Sequence, residues 1–258
     1  MRPNVACAIH LNFTVEGPAA PNGPWLLCLH SLATDLTIWD AVAPALAKSH
    51  RVLRADLRGH GRSPSPPPPY ALDDLVQDVV DLLDRVDVGR VSVLGLSVGG
   101  MVALGLALDH AGRVDKLIVA DARADAPPAY RALWDAAIDR LSTNGLEAVV
   151  DASLQRWFRL ADEDARAVVR ETALATPEAG FVGTARAVQG VDYLDRLHAI
   201  TAPTLFITGE HDPAAPPDTM ADMARRVPGA RLHVIPGAAH LTPVEDPEAF
   251  TAAVTAFL

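Results

Sequence analysis

Residues 91–110 read VSVLGLSVGGMVALGLALDH. The first six, VSVLGL, have the near-continuous apolar character of a strand covered on both faces. A serine between glycines follows, Gly95-Leu96-Ser97-Val98-Gly99, and from Met101 to His110 the apolar residues resume with helical rhythm. A strand that gives way to a helix across one residue must turn sharply. Glycines two places before and after that residue remove the side chains that would crowd the turn. The turn also sets Ser97 at a helix N-terminus, where unpaired N–H groups favour developing negative charge. A serine in a tight turn can be there only because it is small. Between this strand and this helix, the pattern reads instead as a hydroxyl presented for nucleophilic attack.

The rest of the chain supplies a matching frame. PWLLCLH (24–30), RVLRADL (51–57), DKLIVAD (115–121), PTLFITG (203–209) and ARLHVIP (230–236) read as further buried strands. Residues 70–88 carry apolar side chains at 72, 75, 76, 79, 82, 83 and 86, a helical stripe, and 246–258 forms a closing helix. This alternation predicts an α/β fold with a mostly parallel central sheet flanked by helices. Residues 123–198 interrupt it. They offer no strand, are rich in Ala and Arg, and carry Trp134, Trp157, Phe158 and Phe181. We read them as a helical cap roofing the cleft at the strand ends, which leaves 1–122 and 199–258 as the core. SPSPPPPY (63–70) reads as a stiff loop, because proline fixes φ and blocks helix entry.

The 258 residues, half of them apolar, suffice for one such domain. A net charge of −10 and no long basic run argue against nucleic acid or an anionic membrane as partner. Of the two cysteines, Cys7 and Cys28, the second lies in the apolar run WLLCLH and reads as a buried free thiol. No Cys/His cluster has metal-ligand spacing, so no metal site is expected. The opening MRPNVACAIHLNF lacks the apolar stretch of a signal peptide, and no apolar run reaches the roughly 18 residues of a membrane span. The expectation is a cytoplasmic protein.

A serine hydroxyl needs a base to attack at neutral pH. Among nine histidines, His50, His110 and His198 fall at predicted helix ends, and His10 and His233 in predicted strands. His240 differs: PGAAHLTPVED places it in a small-residue loop after the last strand, near where Ser97 emerges. Asp212, in the turn GEHDPAAPP after the preceding strand, is the preferred orienting acid, with Glu210 and Asp121 as rivals. Asp56, in DLRGHGRS, reads as a structural tie for its own loop. Acyl transfer also needs two oxyanion donors. The N–H of Val98, just after the nucleophile, is one; the N–H of Leu32, in the HSLATD loop after the first predicted strand, is the other.

At these residues the chain resembles the α/β-hydrolase family over essentially its full length. The matching segments are LLCLHSLATDLTIWD, RVLRADLRGHGRS, LGLSVGGM, TGEHDPAAPP and PGAAHLTPVEDPEAF. Within that family it is most similar to the 3-oxoadipate enol-lactonase group, which shares those loops and a cap segment like LQRWF with a tryptophan 23 residues upstream of its own, here Trp134. The resemblance implies a catalytic set of Ser97, Asp212 and His240, no cofactor, and a substrate pocket that includes Trp134 and Ser31. It departs at Ala33, where the group usually has glycine, and at His240-Leu241-Thr242-Pro243. The implied substrate is a small ester or lactone, 3-oxoadipate enol-lactone foremost, whose carboxylate would call for a cation; Arg131, Arg156 and Arg159 of the cap are candidates. A broad carboxylesterase or cofactor-free perhydrolase is the alternative chemistry, and a non-catalytic ligand-binding module the alternative class. Dehalogenase or epoxide-hydrolase relatives place aspartate where Ser97 stands.

Overall fold

The computed structural model describes residues 9–17, 23–160 and 163–258, so Cys7 and most of the opening segment lie outside the described residues. Seven strands form one sheet: β1 (Phe13–Glu16), β2 (Trp25–Leu29), β3 (Arg51–Ala55), β4 (Val91–Leu96), β5 (Val114–Ala120), β6 (Thr204–Gly209) and β7 (Arg231–Ile235). Their order is β1-β3-β2-β4-β5-β6-β7, with β1 antiparallel to β3 and every other pair parallel. The six strands read from sequence are thus present, but β7, read as buried, is an edge strand in which only Ile235 is fully buried. β1 is the addition: four half-exposed residues at the sheet edge carry no buried apolar run to announce them. His10, read as a strand residue, precedes it.

Helices cover the sheet in the order α1 (Ala43–Leu46), α2 (Leu72–Arg85), α3 (Val98–Asp109), α4 (Pro128–Trp157), α5 (Glu163–Leu174), α6 (Glu178–Gln189), α7 (Pro217–Arg226), α8 (Thr242–Glu245) and α9 (Pro247–Phe257). Six of the seven stripe positions read for α2 are buried, and only Val86, beyond its C-terminus, is not. α3 has no polar face at all: Val98 through Ala107 are buried, because the helix is wedged between β4, β5, α2 and the cap. Among the described residues no helix is long and apolar enough to cross a membrane. Cys28 is fully buried as a free thiol.

Three helical segments, α4 to α6, stand between β5 and β6. α4 is broken at Gly145, whose φ of 81° and ψ of 172° fold its two halves apart. The insert leaves the core through a narrow neck, where Asp125 bridges Asp192 and the Tyr193 N–H donates to the Ala124 carbonyl at 2.7 Å.

The sheet order changes direction between β2 and β4: β2 leads outward to β3, and β4 returns to its other side. In such a sheet the loops beyond those two strands diverge and open a crevice. Leu29 pairs with Gly95, so the loops beginning at His30 and at Ser97 emerge side by side. Their contact is backbone on backbone. A Cβ on Gly99 would lie 2.2 Å from the Leu29 carbonyl oxygen, and one on Gly95 2.2 Å from the Gly99 carbonyl oxygen.

Gly99→Ala should therefore force the elbow and β2 apart, a strain of about 1–3 kcal/mol. We expect its thermal midpoint several degrees below wild type, whereas Gly112→Ala, with nothing within 4 Å of its Cβ position, should melt with wild type.

Candidate active site

Ser97 occupies the single residue between β4 and α3, with φ 54° and ψ −116°. A non-glycine residue there carries strain on the order of 1–3 kcal/mol. Its N–H donates to the Ala120 carbonyl at 2.8 Å, and its own carbonyl accepts from the Met101 N–H at 3.0 Å, which fixes the turn from both sides.

The structure brings the three sequence-selected side chains together. The Ser97 hydroxyl lies 3.1 Å from His240 Nε2. His240 Nδ1 lies 3.0 Å and 2.9 Å from the two carboxylate oxygens of Asp212. A carboxylate only accepts, so Nδ1 carries the proton and Nε2 faces Ser97 as acceptor. All three side chains are buried. Asp212 is braced by the Ala214 N–H at 2.7 Å. The loop bearing His240 is held by the cap, since the Trp157 carbonyl accepts the N–H groups of His240 and Leu241.

The rival acids have other partners. Glu210 is half exposed and accepts the Gly237 N–H at 2.9 Å. Asp121 is buried, with φ 49°, and ties two loops: Oδ1 accepts the Gly209 N–H, and Oδ2 accepts the Thr242 N–H and hydroxyl. Burial and the neighbouring Asp212 charge push its carboxyl well above the usual range. Asp56 joins three segments, accepting from the Leu36 and Arg62 amides and from Asn12 Nδ2. Glu245 drew no notice in the sequence. Its buried carboxylate takes the N–H groups of Ala239, Arg159 and Leu160, stapling the His240 loop to the end of the cap. His30 and His60, also unassigned from sequence, are fully buried against one another.

The hydroxyl of Ser97 opens onto a cavity of about 180 Å³. Its lining includes Ser31 and Leu32, Trp134, Ala137, Arg156 and Trp157 from α4, and His240. Trp134 meets Tyr130 edge-on, with ring centroids 6.2 Å apart. Of the three cap arginines only Arg156 lines the cavity. Arg131 is exposed, with its carbonyl bound by Gln189, and Arg159 enters the site only through its backbone N–H on Glu245. Among the described residues neither the Val98 nor the Leu32 N–H donates to a protein acceptor, and Leu32 faces the same cavity as Ser97.

A strand–serine–helix elbow, followed in the chain by an acid and then a histidine beyond later strands, defines the class: a hydrolase-type fold with a serine presented at its sheet edge. The chain belongs to the α/β-hydrolase-fold family, whose model matches residues 24–247. It is 30% identical to 3-oxoadipate enol-lactonase 1 of Acinetobacter baylyi, over 96% of this chain and 92% of that protein. The crystal structure of the enol-lactonase from Burkholderia xenovorans superposes with a TM-score of 0.91 at 32% identity, covering 97% of both chains. A malate-bound thermophilic esterase from Thermogutta terrifontis superposes at 0.87 with 30% identity, covering 96% of this chain and 92% of that one. Its relatives are thus both lactonases and esterases.

Burial pushes the His240 pKa down, but the charge and hydrogen bond of Asp212, with Asp121 behind it, outweigh burial and leave it raised. The imidazole should thus become protonated at a pH above the ordinary histidine value of about 6.5. NMR titration of His240 should show that, and Asp212→Asn should bring the midpoint down. A midpoint below about 6 in the wild type would contradict this balance of charges.

Proposed function

We propose that the protein is a serine hydrolase that opens a small carboxylic lactone or ester, with 3-oxoadipate enol-lactone as the lead substrate. The observation that carries the reading is the Ser97–His240–Asp212 chain of hydrogen bonds beneath a cavity whose lining includes Arg156. The relatives named above support the substrate class.

In the first half-reaction the Ser97 oxygen attacks the substrate carbonyl carbon as its proton passes to His240 Nε2. Asp212 stabilises the imidazolium, and the Val98 and Leu32 amides receive the oxyanion. The tetrahedral intermediate collapses: the bond from carbonyl carbon to ring oxygen breaks, and the departing oxygen takes the proton from His240. In a lactone that group stays attached to the acyl-enzyme. Water then gives a proton to His240 and attacks the acyl carbon; Ser97 leaves and takes the proton back. The cycle balances without metal or organic cofactor.

Arg156 supports an anionic substrate. It has no carboxylate partner among the described residues, its contact with Ser153 Oγ is a long 3.5 Å, and burial with the nearby Arg140 charge depresses its pKa. A bound carboxylate would relieve that. The competing reading, a broad carboxylesterase, draws on the apolar remainder of the lining, Leu133, Trp134, Ala137, Trp157 and Pro213.

Ser97→Ala should abolish both turnover and labelling by a fluorophosphonate probe; labelling that persists would remove Ser97 from the role. Wild-type kcat/KM measured side by side for the enol-lactone and for p-nitrophenyl acetate separates the two readings. Arg156→Ala should lose about 10- to 100-fold on the lactone, the worth of a charge-assisted hydrogen bond, and little on the uncharged ester. Ester turnover with none on the lactone would favour the carboxylesterase.

A further inference from the structure

The loop that offers the Leu32 N–H is held in an unusual way. His30 and His60 lie at the bottom of it, both fully buried, with ring centroids 5.2 Å apart and planes at 60°. His30 belongs to the loop after β2, His60 to the loop after β3. Each ring accepts a backbone N–H from the other's loop: Leu57 N–H donates to His30 Nε2 at 2.8 Å, and Ala33 N–H donates to His60 Nε2 at 3.0 Å. A backbone amide only donates, so both Nε2 atoms are bare and both protons sit on Nδ1. The His30 Nδ1–H then donates to the Ser31 carbonyl at 2.7 Å, and the His60 Nδ1–H to the Arg58 carbonyl at 3.1 Å. The Arg58 side chain is itself anchored on the buried Asp78 of α2, by two bonds of 2.5 Å and 2.7 Å.

The Ser31 carbonyl and the Leu32 N–H are two ends of one peptide unit. In a trans peptide they point in opposite directions, so whatever captures the oxygen aims the hydrogen. The Ser31 oxygen takes three donors: His30 Nδ1, the Thr34 hydroxyl at 2.9 Å and the Thr34 N–H at 3.3 Å. The next peptide unit is fixed by the Ala33 N–H on His60. Ala33 itself has φ 57°, a left-handed conformation that alanine does not favour and that this bond holds in place. Both units on either side of Leu32 are thus set by imidazoles.

We propose that His30 and His60 are positioning residues, a clamp of two neutral imidazoles that aims the Leu32 N–H at the oxyanion. The inference rests on the hydrolase reading above and deepens it. An imidazolium has no lone pair to accept with, so the clamp needs both rings neutral. Burial, and for His60 the neighbouring His30, supplies this: the pKa of His30 is lowered, and that of His60 falls to about 3.

Amide side chains separate the two ring nitrogens, since asparagine reaches the position of Nδ1 and glutamine that of Nε2. His30→Asn keeps a donor for Ser31 and His30→Gln does not. His60→Gln keeps an acceptor for Ala33 and His60→Asn does not. With p-nitrophenyl acetate, and rates taken per site titrated with fluorophosphonate, His30→Gln and His60→Asn should lose about 10- to 100-fold in kcat, a part of what deleting an oxyanion donor removes. Their KM should stay within about threefold, and affinity for a trifluoromethyl ketone, which mimics the oxyanion, should fall in parallel with kcat. His30→Asn and His60→Gln should remain within about fivefold of wild type, and the acid limb set by His240 should not move in any of the four. Equal losses for both substitutions at either position, or a wild-type rate per titrated site in all four, would overturn the clamp. So would ring ¹⁵N shifts in the wild-type protein that place a proton on Nε2 of His30 or His60, a measurement that needs no variant to fold. A wild type that neither takes the probe nor hydrolyses esters would instead refute the hydrolase reading, with the ring shifts still deciding how the histidines are bonded.

Discussion

The site depends on one close approach, the N-terminus of α3 pressed against the end of β2. A side chain at Gly99 would meet the Leu29 oxygen at 2.2 Å and the His30 oxygen at 2.7 Å, so the two backbones touch with nothing between them. That contact sets the first turn of α3 beside the loop after β2, so that Ser97 and Leu32, three residues beyond β2, line one cavity. It is also why Ser97 can hold a positive φ. The sheet register, the Ala120 carbonyl and the helix that starts beside it leave the residue no relaxed alternative. The strain is local, and the rigid core around it absorbs its cost.

Buried carboxylates do the remaining work of assembly. Asp121 joins β5 to the ends of β6 and the His240 loop across 88 and 121 residues of chain. Glu245 joins the His240 loop to the cap across 86. Each satisfies two or three backbone N–H groups that lie in loops and have no ladder partner, which is what makes burying a carboxylate there tolerable. Asp212 differs in kind. Besides Ala214 it faces the histidine ring, so its charge sets the proton affinity of His240, with Asp121 adding to the same field.

What could be read from sequence follows from how local each requirement is. Ser97 was legible because the elbow is made by five consecutive residues, and Asp212 and His240 because each follows an apolar strand at the same sheet edge. Leu32, chosen from the loop after the first predicted strand, lines the same cavity as Ser97. β1 escaped because its four residues, FTVE, are too short and too mixed to give an apolar run, whereas the other edge strand, β7, is flagged by Leu232, Val234 and Ile235. The His30–His60 pair escaped because 30 residues separate the rings, and only the pairing of β2 with β3 brings them together. Arg156 could not be told from Arg131 and Arg159 because the choice depends on the break at Gly145. In an unbroken helix Trp134 and Arg156 would lie about 33 Å apart along the axis, yet both line one cavity.

That break also links the cavity wall to the loop bearing His240. A helix leaves its last carbonyls without internal partners. Here the Trp157 carbonyl, at the end of α4, is taken by the His240 and Leu241 amides, while Arg156, one residue earlier, lines the cavity. The electrostatic reach of Arg156 extends to His240, where its positive charge lowers the pKa against the pull of Asp212. A carboxylate seated on Arg156 would screen that charge, and the imidazole would then feel Asp212 more fully. The same turn of helix thus holds the His240 loop in place and lines the cavity in front of it.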